Sequence, residues 1–215
     1  RSPSRGLGDV YKRQCLSCSN LFLVLVYDQM DLISHNWKWC KYIAGLCKHS
    51  VSRFLYLEDW CNEIMDGIVL GAMPLNNFNH MDDIIKKHNI DVVLSILEDF
   101  ELEDTFLFSP IKPSQYEEHG IIHEHIISQD FTSITQYNIE KGIDILKEHI
   151  KNKKRIYIHC KSGRGRSATI VVCYLMKHRD FSKDEARAFT KAKRPQITID
   201  GCHKYSIDQY EQHKL

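Results

Sequence analysis

The stretch RIYIHCKSGRGRSATIVVCYLMKH, residues 155–178, decides the fold. RIYIH is a short β-branched and aromatic run of the kind that forms a strand, and SATIVVCYLMKH is apolar nearly all round, as a helix at the centre of a domain is. Between them stand Cys160, Lys161, Ser162, Gly163, Arg164, Gly165 and Arg166. In an open α/β sheet, ligands bind beyond the C-terminal ends of strands, where a loop leads into a helix N-terminus. Backbone N–H groups turned into such a loop, aided by the helix dipole, cradle an anion. Gly163 and Gly165 are expected to supply backbone angles that other residues resist.

The same field acts on Cys160. A thiol beside oriented N–H groups and Arg166 loses its proton well below the free value of about 8.5. A thiolate at the floor of a phosphate cradle can attack phosphorus in line, with the planar Arg166 fork holding two equatorial oxygens as charge spreads. Ser167 can donate to the sulfur and make it a better leaving group. This chemistry needs no metal and no cofactor. Lys161, Ser162, Gly163, Arg164 and Gly165 are the expected substrate-binding positions, and Cys160, Arg166 and Ser167 the expected catalytic ones.

Outward from this unit the pattern repeats. GIVLGAMPL (67–75) reads as a strand closed by Gly71 and Pro74, HMDDIIKKHN (80–89) as helical, and IDVVLSIL (90–97) as a buried strand. IIHEHII (121–127) is the next strand. YNIEKGIDILKEHIKN (137–152) is a helix with Ile139, Ile143, Leu146 and Ile150 on one face. SKDEARAFTKA (182–192) opens with a Ser182 cap and Glu185 three places on, and a last helix runs from about His203 to the end. Alternation of this kind predicts an α/β domain with a central, mainly parallel sheet flanked by helices.

The bulk properties fit one soluble domain with an extension. The chain has 215 residues, 43% hydrophobic and 27% charged, with 29 basic and 28 acidic residues for a net charge of +1. No global field recruits nucleic acid, so any basic site is local. Eight cysteines at irregular positions suit a reducing compartment rather than a disulfide framework, and Cys15 and Cys18 lack a second ligand pair for zinc. His119, His123 and His125 have no carboxylate set beside them, so no metal is expected. Residues 1–29 read as a non-native or adaptor-derived leader, with Met30 as a plausible start, and 30–58 as an N-terminal helical extension. There Trp37, Trp39, Tyr42, Ile43 and Leu46 recur at helical spacing, so a short amphipathic helix is expected, either packing on the domain or making a peripheral membrane contact. The catalytic domain is expected over 59–215.

HCKSGRGRS matches the signature HCxxGxxRS, and on it the chain resembles the cysteine-dependent protein tyrosine phosphatase superfamily. Within it, DWCNEIMDGIVLGAMPL (59–75) and HCKSGRGRSATIVVCYLM (159–176) are most similar to the dual-specificity branch, specifically to the mitochondrial phosphatidylglycerophosphatase-type lipid phosphatases. The resemblance implies a general acid on a loop before the cysteine, and ISQDFTSIT puts Asp130 there, thirty residues before Cys160. Lys161 and Gly165 make the loop more like those of phosphoinositide 3-phosphatases and cell-cycle phosphatases. Lys161 and Arg164 add positive charge that favours a second phosphate or an acidic headgroup. Alignment on the last helix sets His203 where many members carry glutamine, with Gln209 further on, and a role for either is left open.

The expected protein is therefore a phosphomonoester hydrolase working through a cysteinyl-phosphate intermediate. Its expected substrate is a phospholipid headgroup, either phosphatidylglycerophosphate or a phosphoinositide. A dual-specificity protein phosphatase and an inactive phosphate-binding module are the alternatives. Expected partners are a phosphorylated lipid or phosphoprotein, with no nucleic acid, and the chain is expected to be an intracellular monomer, cytoplasmic or associated with a mitochondrial membrane.

Overall fold

The structure is a computed structural model and describes residues 38–47 and 58–214. The expected leader, 1–29, and Trp37 lie outside the described residues. Residues 38–47 form one helix, α1, within the expected extension. Among the described residues no helix is long and apolar enough to cross a membrane.

Five strands form one sheet: β1 (Cys61–Met65), β2 (Ile68–Gly71), β3 (Val92–Leu97), β4 (Ile122–Ile127) and β5 (Ile156–His159), in the order β1-β2-β5-β3-β4. β2, β5, β3 and β4 are mutually parallel, as the alternating pattern predicts, and only the β1–β2 pair is antiparallel. Sequence reading had no strand at 61–65. Asp66 and Gly67 close a two-residue turn there, with Gly67 at φ +84°, the short-loop signal of a hairpin. β3 is buried along its whole length, as is β5 beside it, which is why both read as unbroken apolar runs.

The helices follow the apolar faces. α2 (Pro113–Glu118) packs on β4, and neither it nor the 3-10 turn Asp99–Leu102 was visible in the hydrophobic pattern. The helical stretch after β2 is one π-helical turn, Met81–Lys86. α3 (Gln136–Lys151) is capped by the Thr135 hydroxyl, which accepts from the Asn138 N–H at 3.2 Å, and buries Ile139, Ile143 and Leu146. α4 (Arg166–His178) lies against β3 and β5 and is ringed by α3, α5 (Lys183–Lys193) and α6 (Gly201–Lys214), so eleven of its residues are buried. The Ser182–Glu185 capping box opens α5 as expected.

Register brings the site together. His159 on β5 stands opposite Gly71 on β2 and Ser95 on β3, so Cys160 leaves the sheet at the C-terminal ends of three parallel strands. The floor is packed tightly. A methyl on Gly71 would lie 2.0 Å from the Tyr157 hydroxyl and 2.8 Å from the Cys61 β-carbon. Tyr157 is held in place because its hydroxyl donates to the Ala72 carbonyl at 2.6 Å. Gly71→Ala is expected to destabilise the protein by about 1–3 kcal/mol through overpacking, read in urea unfolding as a lower midpoint at unchanged slope.

Candidate active site

The loop from Cys160 to Gly165 joins β5 to α4, and three constraints give it its shape. Gly163 has φ +64°, and a β-carbon there would meet the Gly71 carbonyl oxygen at 2.1 Å, so only glycine fits. The Met73 N–H donates to the Lys161 carbonyl at 3.1 Å, and the Thr198 N–H to the Arg164 carbonyl at 2.9 Å. Arg194, fully buried, donates through Nε to the Gly163 carbonyl at 2.9 Å and through Nη2 to the Ser162 carbonyl at 3.2 Å, while Nη1 reaches Asn62 Oδ1 at 2.7 Å. Arg194 thus ties down two of the loop's carbonyls. Nothing local marks Arg194 in the sequence.

Gly165 differs from the expectation. Its φ of −114° is ordinary for any residue. A β-carbon there would lie 2.2 Å from His203 Nε2, so a side chain at 165 would require the His203 ring to move.

Cys160 is 3% exposed, and its sulfur accepts from the Ser167 hydroxyl at 3.3 Å. Burial alone would push the thiol up, but the Arg166 charge and the Ser167 side-chain and backbone donors outweigh it, so its pKa lies below the ordinary value. Behind it, burial pushes His159 down to about 3, so its ring is neutral. Nδ1 lies 3.1 Å from the Cys160 carbonyl, which can only accept, so Nδ1 carries the proton and Nε2 accepts from Ser95 Oγ at 2.8 Å. Ser95 Oγ then accepts from His123 Nε2 at 2.9 Å, and burial holds His123 neutral as well, at about 4. His123 thus belongs to a chain of donors behind the nucleophile.

Arg166 is 1% exposed and paired with Glu101, which is equally buried. Nη1 donates to Glu101 Oε2 at 2.6 Å and to the Ser128 carbonyl at 2.9 Å, while Nη2 donates to Glu101 Oε1 at 3.0 Å. Burial would push Arg166 down, but Glu101 more than offsets it and keeps the guanidinium charged. The terminal fork expected to hold phosphate is therefore occupied by Glu101. Nε is buried with no hydrogen-bond partner among the described residues, and Nη2 also lies 3.3 Å from Asp130 Oδ1. Glu101 was missed because EDFELED, residues 98–104, reads as a solvated acidic run. Its one cue is the spacing of Glu98 and Glu101, whose carboxylate accepts from the Glu98 N–H at 2.9 Å.

Asp130 is where the resemblance puts it, beside the loop. One carboxylate oxygen accepts from the Lys161 ammonium and the other lies 3.3 Å from Arg166 Nη2. Its backbone N–H donates to Glu98 Oε1 at 3.3 Å, so one acidic turn holds both Arg166 and the Asp130 loop. Burial would raise the carboxyl, but Arg166 and then Lys161 overcome that and hold it below the ordinary carboxylate value. Phe131 follows in the left-handed region at φ 59°, a costly conformation for a bulky residue, with the Lys161 ammonium 5.0 Å from its ring centre.

Lys161 is buried rather than solvent-facing, and Arg164 donates to the Glu58 carboxylate. The surplus positive charge expected of this pair is matched by Asp130 and Glu58. Asp130, Phe131, the loop, Thr198, Asp200, Cys202 and His203 line one cleft of about 260 Å³. Gln209 is not in that lining and donates to Gln212 along α6.

Comparison with known proteins gives the class. Residues 75–213, well over half of the chain, match the family "Dual specificity phosphatase, catalytic domain". The chain belongs to that family. Among its relatives, the Mus musculus phosphatidylglycerophosphatase and protein-tyrosine phosphatase 1 is 30% identical over 143 residues, 66% of this chain and 71% of the mouse protein. The Arabidopsis thaliana phosphatidylglycerophosphate phosphatase PTPMT1 is 25% identical over 154 residues, and this chain spans 42% of its length. A crystal structure of PTPMT1 in complex with PI(5)P has the same fold, with a TM-score of 0.63 at 24% identity over 72% of this chain and 96% of that one.

The balance of charges around Cys160 sets its reactivity. Alkylation of the Cys160 thiol by iodoacetamide, followed against pH, is expected to show a midpoint below about 8.5, because a depressed pKa leaves thiolate present at lower pH. Ser167→Ala is expected to move the midpoint up. Glu101→Ala, which strands a buried guanidinium, is expected to cost about 3–5 kcal/mol of stability in denaturant unfolding.

Proposed function

We propose that this chain hydrolyses phosphate monoesters through a cysteinyl-phosphate intermediate. The observation that carries the reading is Cys160, its sulfur accepting from the Ser167 hydroxyl at 3.3 Å, in one cleft with Arg166 and Asp130. The Cys160 thiolate attacks phosphorus, the bond to the ester oxygen breaks, and that oxygen takes its electron pair and the Asp130 proton. Asp130, now a carboxylate, removes a proton from water, which attacks phosphorus. The phosphorus–sulfur bond breaks with the electron pair returning to sulfur, where Ser167 Oγ and Arg166 stabilise it, and inorganic phosphate leaves.

Asp130 held as a carboxylate by Lys161 and Arg166 is not yet an acid. A phosphate dianion competes for both cations and brings negative charge beside Asp130, and each effect raises its proton affinity. Substrate arrival therefore loads the acid. The protonated form is lost as pH rises through the Asp130 value in the complex, so kcat on alkyl phosphates is expected to fall on the alkaline side.

A phospholipid headgroup is the substrate class we favour, supported by the relatives named for phosphatidylglycerophosphate, the structural relative holding PI(5)P, and the polar lining at Thr198, Asp200 and His203. The mouse relative's name also includes protein-tyrosine phosphatase, which keeps phosphotyrosine as the second reading. Phosphate release from phosphatidylglycerophosphate and phosphoinositide micelles is to be compared with phosphotyrosine and phosphothreonine peptides, with Cys160→Ser as the blank. A kcat/KM about 100-fold higher on a lipid, roughly 2.7 kcal/mol of transition-state preference, upholds the lipid reading, and a peptide advantage reverses it. Turnover by Cys160→Ser would end the mechanism. Asp130→Asn is expected to lower kcat on alkyl phosphates by roughly 100-fold or more and to flatten the alkaline limb of the profile.

A further inference from the structure

The two half-reactions leave one group at the rim without a task. His203 stands on the first turn of α6, just after Gly201 at φ +47°, and its imidazole lines the same cleft as Cys160, Asp130 and Arg166. Its Nε2 occupies the space that a side chain on Gly165 would need. Its Nδ1 is buried and has no hydrogen-bond partner among the described residues. A buried polar atom left without a partner costs about 1–3 kcal/mol, a cost retained where a ligand or ordered water supplies the missing bond.

The charge state narrows what that ligand is. Burial, then the Arg166 charge, pushes His203 down, and Asp130 and Asp200 offset only part of it, so the ring is neutral near pH 7 before substrate arrives. A neutral imidazole donates from one nitrogen and accepts at the other. Its N–H can donate to any acceptor, phosphate included, but a hydroxyl, which also donates and accepts, is the group that matches both of its nitrogens. The cleft of about 260 Å³ is smaller than the sites of about 300–1,000 Å³ that enclose drug-sized ligands. It has room for the phosphate and the first few atoms of the alcohol. Thr198 and Asp200 line the cleft with His203, so hydroxyl partners gather beside the loop.

We propose that His203 is a substrate-contacting residue that hydrogen-bonds a hydroxyl on the alcohol half of the ester, selecting polyol phosphates over aryl phosphates. This rests on the phosphatase reading and deepens its headgroup preference. A glycerol or inositol ester places a hydroxyl within a few atoms of phosphorus, whereas a phenyl ester places carbon there. Gly165 and His203 act as a pair: the residue that lacks a side chain admits the ring that reads the alcohol.

The test is kinetic and uses the full chain, as wild type, His203→Ala and His203→Gln. Four substrates are compared: phosphatidylglycerophosphate in mixed micelles, its analogue lacking the free headgroup hydroxyl, soluble glycerol 3-phosphate, and p-nitrophenyl phosphate. His203→Ala is expected to lower kcat/KM by roughly 10–100-fold on both hydroxyl-bearing esters and by no more than about 3-fold on the other two. The wild type should lose a similar factor when the hydroxyl is removed, and the two losses should not add. His203→Gln, which keeps a donor and an acceptor, should recover part of the loss. An equal loss on all four substrates would make His203 part of the phosphoryl-transfer or folding machinery and overturn the proposal, as would no loss on any. Failure of the lipid alone, with the soluble polyol ester still dependent on His203, would overturn the lipid reading and leave this one standing.

Discussion

The buried ion pair between Arg166 and Glu101 is the constraint on which the site depends. Taking a guanidinium and a carboxylate out of water costs several kcal/mol for each ion, and their attraction repays this only when geometry is good and the remaining polar atoms are satisfied. Here two parallel hydrogen bonds, at 2.6 and 3.0 Å, join the pair, and the Ser128 carbonyl takes another guanidinium proton. The pair also crosses the fold. Glu101 lies on the turn after β3, Arg166 at the start of α4, and Ser128 just beyond β4, so three strand ends are fixed to one planar group. Arg166 Nε is left over because the other guanidinium nitrogens are committed.

How much of this could be read from the sequence follows from how local each determinant is. Cys160, Gly163 and Ser167 act within one loop, and a strand, a turn and a helix in seven residues of register announce them. β3, α3 and α4 were legible because their apolar spacing records burial residue by residue. Glu101 and Arg194 act across 65 and 31 residues, on the Arg166 side chain and on Gly163. Each stands in a charged stretch, EDFELED (98–104) and KAKR (191–194), so both look solvated, and only the fold reveals that they are buried. Gly165 is the opposite case: its local pattern suggests a backbone role, while the contact a side chain would make there is with His203, 38 residues away.

Charge counting by sequence also misjudged the cleft. Lys161 and Arg164 look like surplus positive charge when only the loop is read, yet each meets a carboxylate brought from elsewhere, Asp130 and Glu58. A cleft with compensated charge does not hold an anion by net field. It holds one by exchange, since an incoming phosphate must displace a carboxylate from a cation and is favoured only if it makes better hydrogen bonds. The loop N–H groups supply that margin, because no protein carboxylate can use them all at once.

This exchange ties affinity to chemistry through a single residue. Asp130 competes with phosphate for Lys161 and Arg166, so the stronger its hold on them, the weaker substrate binding becomes and the lower its own proton affinity before substrate arrives. A weaker hold would leave Asp130 protonated more often and the cleft more cationic, gaining affinity but retaining product phosphate just as firmly. The left-handed Phe131 beside it, with the Lys161 ammonium 5.0 Å from its ring centre, is a strained point of the Asp130 loop. On the proposed mechanism Asp130 gives up its cations to phosphate as its proton affinity rises and regains them when phosphate leaves. Turnover in such a site is governed by the balance of one carboxylate and one phosphate over two shared cations.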